Sequence, residues 1–168
     1  MFDRYAGDNK TQLSAKDKTY TNASGECGIP VLNLYSLLSA QNTPSVAKRF
    51  YGKQGREIAL GIQAFVAIEA TGGTDPMFCP LLDGAGEVYK RDDKRISILN
   101  HVARLKDGIP NPKERPWFPS GWQIRLSFFH MDNTFIKVEG LKKMVEQGGI
   151  LGLGTFRPIF GRYTVIWS

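Results

Sequence analysis

The sequence predicts an α+β protein, a ferredoxin-like sandwich with a C-terminal glycine-rich loop, on three observations. Trp122 to Phe129 alternates apolar Trp122, Ile124, Leu126 and Phe128 with polar Gln123, Arg125 and Ser127, the period-two pattern of a half-buried strand. Phe135 to Gln147 repeats Phe135, Val138, Leu141, Met144 and Val145 at three- and four-residue steps, opposite Lys137, Lys142, Lys143 and Glu146, which is an amphipathic helix ended by Gly148 and Gly149. Residues 162–167 then close as a strand. Together they form a β-loop-α-loop-β unit, and an earlier helix over 30–40 with a strand over 62–69 supplies the second half.

Each earlier element follows from local pattern. Residues 1–28 are polar and aperiodic, which predicts a mobile arm or long loop and leaves 29–168 as one domain. Lys10, Lys16 and Lys18 would make that arm attractive to phosphate. Pro30 suits a first helical turn, and Val31, Leu34, Tyr35, Leu37 and Leu38 form the buried stripe behind it. Ala64 to Ile68 is continuously apolar and predicts a central strand buried on both faces. Thr71 to Pro76 and Asp83 to Gly86 carry turn chemistry around a short strand over Phe78 to Leu82, and Val88 to Arg95 reads as a charged, exposed hairpin or loop. Ile96 to Leu105 admits strand or helix; the glycine and prolines of Lys106 to Pro112 favour the strand.

Composition narrows the function classes. The 168 residues allow one domain with a core, and 22 Lys+Arg against 16 Asp+Glu leave a net charge of +6, which favours polyanionic partners. Cys27 and Cys79 form no CxxC pair and have no histidine at ligand spacing, so no metal is expected. Nothing matches a phosphate or dinucleotide fingerprint, because in this chain helix precedes the glycines and strand follows them, and no cofactor is expected. No leader and no apolar run of membrane-spanning length stand out, so the expectation is a cytoplasmic protein without a membrane partner.

Two stretches carry the candidate binding residues. In Ser45 to Arg56, the cations Lys48, Arg49, Lys53 and Arg56 alternate with Phe50 and Tyr51, a pattern suited to tracking a phosphate backbone while an aromatic stacks on a base. From Gly148 to Gly161 five of fourteen residues are glycine, and Gly149, Gly152, Gly154 and Gly161 are interleaved with Phe156, Arg157 and Arg162. Glycine admits close approach of a ligand backbone and arginine forks fit phosphate. A tight connection with glycines for geometry and aromatics for core is the competing reading of the same stretch. His101 and His130 are the available acid/base side chains, though no neighbouring signature poises either one. Asp92-Asp93 sits among Lys90, Arg91, Lys94 and Arg95, a self-neutralising surface cluster rather than a two-metal site.

Arg115-Pro-Trp-Phe-Pro119, the strand opened by Trp122, and Gly152-Leu-Gly-Thr-Phe-Arg-Pro-Ile-Phe-Gly-Arg-Tyr163 resemble a family of uncharacterised phage and prophage proteins. Its members carry an RPxFP element and end in GLGDWRPRFGRFEV, and the likeness is closest over the last sixteen residues. Thr155 stands where that family has Asp. The helix, loop and terminal strand are similar, more distantly, to RAMP-type ferredoxin-like proteins that bind guide RNA in CRISPR effector complexes. That likeness implies RNA contact through Gly149, Gly152, Gly154, Arg157, Gly161 and Arg162, and oligomerisation along the strand in a ribonucleoprotein. The combined expectation is a non-catalytic binder of RNA or single-stranded DNA in a bacterial host. The alternatives are a metal-independent endoribonuclease using His101 or His130, and a protein-binding module of a phage or anti-defence assembly anchored by Trp117, Phe118 and Trp122.

Overall fold

Helices and antiparallel strand pairs share the chain, giving an α+β architecture. The computed structural model describes residues 14–41, 44–104, 110–153 and 161–168. In order they form α1 (Ala15–Lys18), β1 (Gly28–Pro30), α2 (Val31–Ser39), α3 (Val46–Tyr51), a 3-10 turn (Gly52–Gln54), α4 (Gly55–Phe65), β2 (Val66–Ala70), β3 (Phe78–Pro80), β4 (Ser97–Arg104), β5 (Pro110–Trp117), β6 (Leu126–His130) and α5 (Val138–Leu151). The chain packs as two units, Met1–Ile29 with Pro80–Ile124, and Pro30–Cys79 with Arg125–Ser168, where the sequence suggested one domain over 29–168.

In the first unit, residues 14–28 are bonded in place. Ser14 caps α1 by accepting the Asp17 N–H at 3.2 Å, Gly28 N donates to the Tyr20 carbonyl at 3.1 Å, and the Lys18 ammonium donates to the Glu114 carbonyl at 2.8 Å. Residues 1–13 of the expected arm lie outside the described residues. Strands β4 and β5 pair antiparallel from Ser97 with Trp117 to Arg104 with Pro110, so the strand alternative for 96–105 is the one realised. Residues 110, 112, 114 and 116 of β5 share one parity, and the groups of alternate residues point to the same side of an antiparallel strand. Lys18 reaches the carbonyl of Glu114, which fixes that side as the one turned away from β4, and Pro110, Pro112 and Pro116 have no N–H to offer there.

The charged stretch 88–95 is a turn organised by ion pairs. The Arg95 guanidinium lies 4.6 Å from the Tyr89 ring centre and bonds both carboxylate oxygens of Asp93 from Nε at 3.0 Å, with Asp83 on its other side. Tyr89 meets Phe118 edge-on at 5.3 Å, and both are buried.

In the second unit, α2 and α3 pack on α4, and both touch α5, around Leu34, Leu37, Val46, Ile62, Leu141 and Met144. Helix α4 runs through Phe65, so the predicted strand starts only at Val66. It is buried on one face (Val66, Ile68, Ala70) and exposed on the other (Ala67, Glu69), not buried on both. The apolar run 58–65 is long enough to serve as a helix stripe, and its burial fits that period. Strand β2 pairs with β6 from Val66 with His130 to Ala70 with Leu126. On its other side the Tyr35 hydroxyl donates to Val66 O and accepts from Ile68 N, each at 2.9 Å, and Ala70 N donates to Pro76 O at 2.8 Å. Those groups would otherwise bond a neighbouring strand, so β2 has a partner strand on one side alone.

Two C-terminal expectations are corrected. Helix α5 passes through Gly148 and Gly149 to end at Gly152, which takes the left-handed φ of 78°. Residues 161–168 form no strand and lie along α5, where the Tyr163 hydroxyl donates to Val145 O at 2.9 Å and Trp167 Nε1 to Glu146 at 3.0 Å. Side-chain hydrogen bonds thus take the place of a ladder.

Removing the Tyr35 hydroxyl leaves Val66 O and Ile68 N without their partner, so Tyr35→Phe should lower unfolding free energy by about 1–3 kcal/mol in urea titrations. The hydrogen bonds from Arg95 hold the Asp93 carboxyl below the ordinary carboxylate range. A depressed folded-state value stabilises above the unfolded value, about 3.9, and that stability is lost as pH falls through the folded one. Melting temperature should therefore drop as pH falls below about 4, and Arg95→Met should flatten that dependence.

Candidate functional site

The basic segment is laid down by a capped helix, a glycine turn and a second helix. The Ser45 hydroxyl accepts the Lys48 N–H at 3.3 Å and starts α3, whose Val46 and Ala47 are buried. Lys48, Arg49 and Phe50 consequently face outward, with Phe50 at 39% exposure. Gly52, at φ 52°, reverses the chain into the 3-10 turn that exposes Lys53, and Arg56 is exposed in the first turn of α4. Tyr51 is half-buried, and burial raises the pKa of its hydroxyl.

These cations lack carboxylate partners, as Lys90, Lys94, Arg125 and Lys143 also do among the described residues, and they are set apart by falling four within nine positions. In the first unit Lys16 is paired with Asp92, Arg91 with Asp17 and Arg95 with Asp83 and Asp93. Among the described residues Arg49, Lys53 and Arg56 have no ion-pair partner, and Lys48 donates to the neutral carbonyl of Gln41 at 3.4 Å. Positive charge left unneutralised over one short stretch attracts a polyanion more strongly than paired charge does.

The glycine-rich loop divides differently. Gly154, Phe156 and Arg157 lie outside the described residues. Gly148 and Gly149 are buried, with the Tyr163 hydroxyl and carbonyl occupying the space a side chain would take. At Gly161 the carbonyl of Leu153 does the same, and Leu153 N donates to Gly161 O at 2.8 Å. Gly152 is also buried. These glycines bring the closing segment against its own helix, so Gly149, Gly152 and Gly161 are not open to a ligand backbone. Arg162 is exposed.

His130 serves the loop before α5. Its Nε2 lies 2.9 Å from the Ile136 carbonyl and must donate there, since that oxygen only accepts. Asn133 Oδ1 accepts from Phe135 N and Ile136 N at 2.9 Å, and its amide donates to Met131 O at 2.8 Å. The loop is fixed, and Nε2 of the His130 ring is engaged in holding it. The His101 side chain lies outside the described residues, although its backbone sits in β4 opposite Lys113. Phe118 is buried and belongs to the core, not to an exposed anchor surface. Trp117 and Trp122 are half-buried.

No family model, curated protein or solved structure matches the chain. Among the described residues no three His, Cys, Asp or Glu side chains are grouped so as to hold a metal ion, and no helix is long and apolar enough to cross a membrane.

A cleft adjoins the basic segment that residue spacing alone did not reveal. Gln54, Glu57 and Ile58 of the α4 N-terminal turn face Thr134 and Phe135 of the fixed loop across a volume of about 310 Å³. Phe135, expected to begin the buried stripe of the last helix, precedes α5 instead and is 47% exposed. It sits on Gly61, where any Cβ would meet its own, and stacks on Phe65 at 5.9 Å. The positions 54, 57, 58, 61 and 65 do form one helical stripe, which was the readable signal; that Phe135 lies on it depends on the loop.

Gly149→Ala separates the two explanations of the loop glycines. Helix propensity alone favours alanine by about 0.5–1 kcal/mol, whereas collision with the Tyr163 backbone should cost about 1–3 kcal/mol. The variant should melt lower than wild type.

Proposed function

We propose that the protein is a non-catalytic nucleic-acid-binding protein that holds RNA or single-stranded DNA by its backbone. The observation that carries this is the run of exposed cations Lys48, Arg49, Lys53 and Arg56 with no carboxylate partner among the described residues, beside an exposed Phe50. Each cation neutralises one phosphate and releases its counterion, while Phe50 offers a face to a base. Such contacts read no sequence.

The resemblance to RAMP-type RNA binders supports the same partner class. It adds two finer parts to the proposal: assembly of copies along the strand and a ferredoxin-like sheet. The sheet would have to grow from β6 on the side away from β2. Arg157 and Arg162 would extend the phosphate track.

Fluorescence anisotropy with a uridine octamer across a salt series tests this. The slope of log affinity against log salt should be about 0.7 per phosphate, or about 3 for all four cations, and Lys53→Ala with Arg56→Ala should lower it by about 1.4. Affinity indifferent to salt, or untouched by the double variant, would overturn the proposal.

A further inference from the structure

The cleft between the start of α4 and the loop ahead of α5 has the parts of a base-recognition site. It has an aromatic floor, because Phe135 is held flat by Gly61 beneath it and by stacking on Phe65. It has a rigid wall, because Asn133 and His130 bind the backbone on both sides of Thr134. It has exposed polar groups that make no bond to the rest of the protein among the described residues. The side chains of Gln54, Glu57 and Thr134 line the cleft, and none has a hydrogen-bond or ion-pair partner among the described residues. The volume of about 310 Å³ lies at the small end of ligand sites, which run from about 300 to 1,000 Å³.

The chemistry of those groups selects among bases. A carboxylate only accepts, and two adjacent donors satisfy both of its oxygens at once. Guanine presents such a pair on its Watson–Crick edge, N1–H and N2–H, with the O6 acceptor next to them. Uracil offers one donor between two acceptors, and adenine one amino donor beside an acceptor. Cytosine has an amino donor without a second N–H next to it. We propose that this cleft receives a guanine base, stacked on Phe135, with N1–H and N2–H donated to Glu57 and O6 accepting from the Gln54 amide. Lys53, next in the chain to Gln54, stands ready for the phosphate of the same nucleotide.

The inference rests on the nucleic-acid reading for its source of guanine, since the same edge belongs to a free guanine nucleotide. The test therefore uses four probes: a uridine octamer, the same octamer with one central guanosine, the same with one central adenosine, and guanosine monophosphate alone. The guanosine octamer should bind about ten-fold more tightly than the other two strands. Glu57→Gln should abolish that preference, while uridine-octamer affinity holds or rises slightly with loss of the acid beside Arg56, and Phe135→Ala should weaken the guanosine octamer most. Glu57 is exposed, so its variant keeps the fold even where Phe135→Ala does not. Equal affinity for the three strands overturns the guanine site and leaves backbone binding standing, and so does a guanosine preference that survives Glu57→Gln. Binding of guanosine monophosphate but of no strand, lost in Glu57→Gln, supports the cleft chemistry and overturns the strand as its source. Failure of every probe overturns both.

Discussion

The hydroxyl of Tyr35 is the contact on which the second unit depends. One side-chain oxygen donates to Val66 O and accepts from Ile68 N, tying helix α2 to the edge of β2. With that edge occupied, β2 has β6 as its single strand neighbour among the described residues, in register from Val66–His130 to Ala70–Leu126. His130 therefore stands at the end of the pair, where its ring can bond Ile136 O and set the loop that carries Phe135. A tyrosine on one helix thus fixes, through three hydrogen-bonded steps, where an exposed ring lies against another.

Charge is distributed with the same economy of neighbours. Around Tyr89, acids and bases cancel one another: Arg95 is held between Asp83 and Asp93, and Lys16 and Arg91 have their own carboxylates. Exposed pairs of this kind contribute little to stability individually, so their clearest effect is on the surface field. They leave the first unit's turn nearly neutral while the net charge of +6 stays concentrated elsewhere, including the α3–α4 corner. At that corner Arg49, Lys53 and Arg56 have no ion-pair partner among the described residues.

Much of this was legible in the sequence where the pattern is local. The α2 stripe, the turns at 71–76 and 83–86, the strand at 97–104 and the outward cations of 48–56 are all set by periodicity or by residues within a few positions of one another. The failures share a cause. Gly148 and Gly149 look like a helix stop until Tyr163, far along the chain, fills the space above them. Residues 162–167 look like a strand, yet their polar atoms bond side chains and carbonyls of α5. Phe135 looks like core until the Asn133 and His130 bonds hold it outside the helix. In the first two cases a distant group decides, and in the third a side-chain bond that periodicity does not register. The α+β class is met because it needs only the elements.

The spacing of the β5 prolines has a further meaning. On the side of that strand away from β4, three of four positions lack a donor and the carbonyl of the fourth, Glu114, accepts the Lys18 ammonium. A passing extended peptide would find no alternating rungs to zip onto there. Where copies of the chain are crowded together, this margin refuses the cross-β growth that crowding would otherwise encourage.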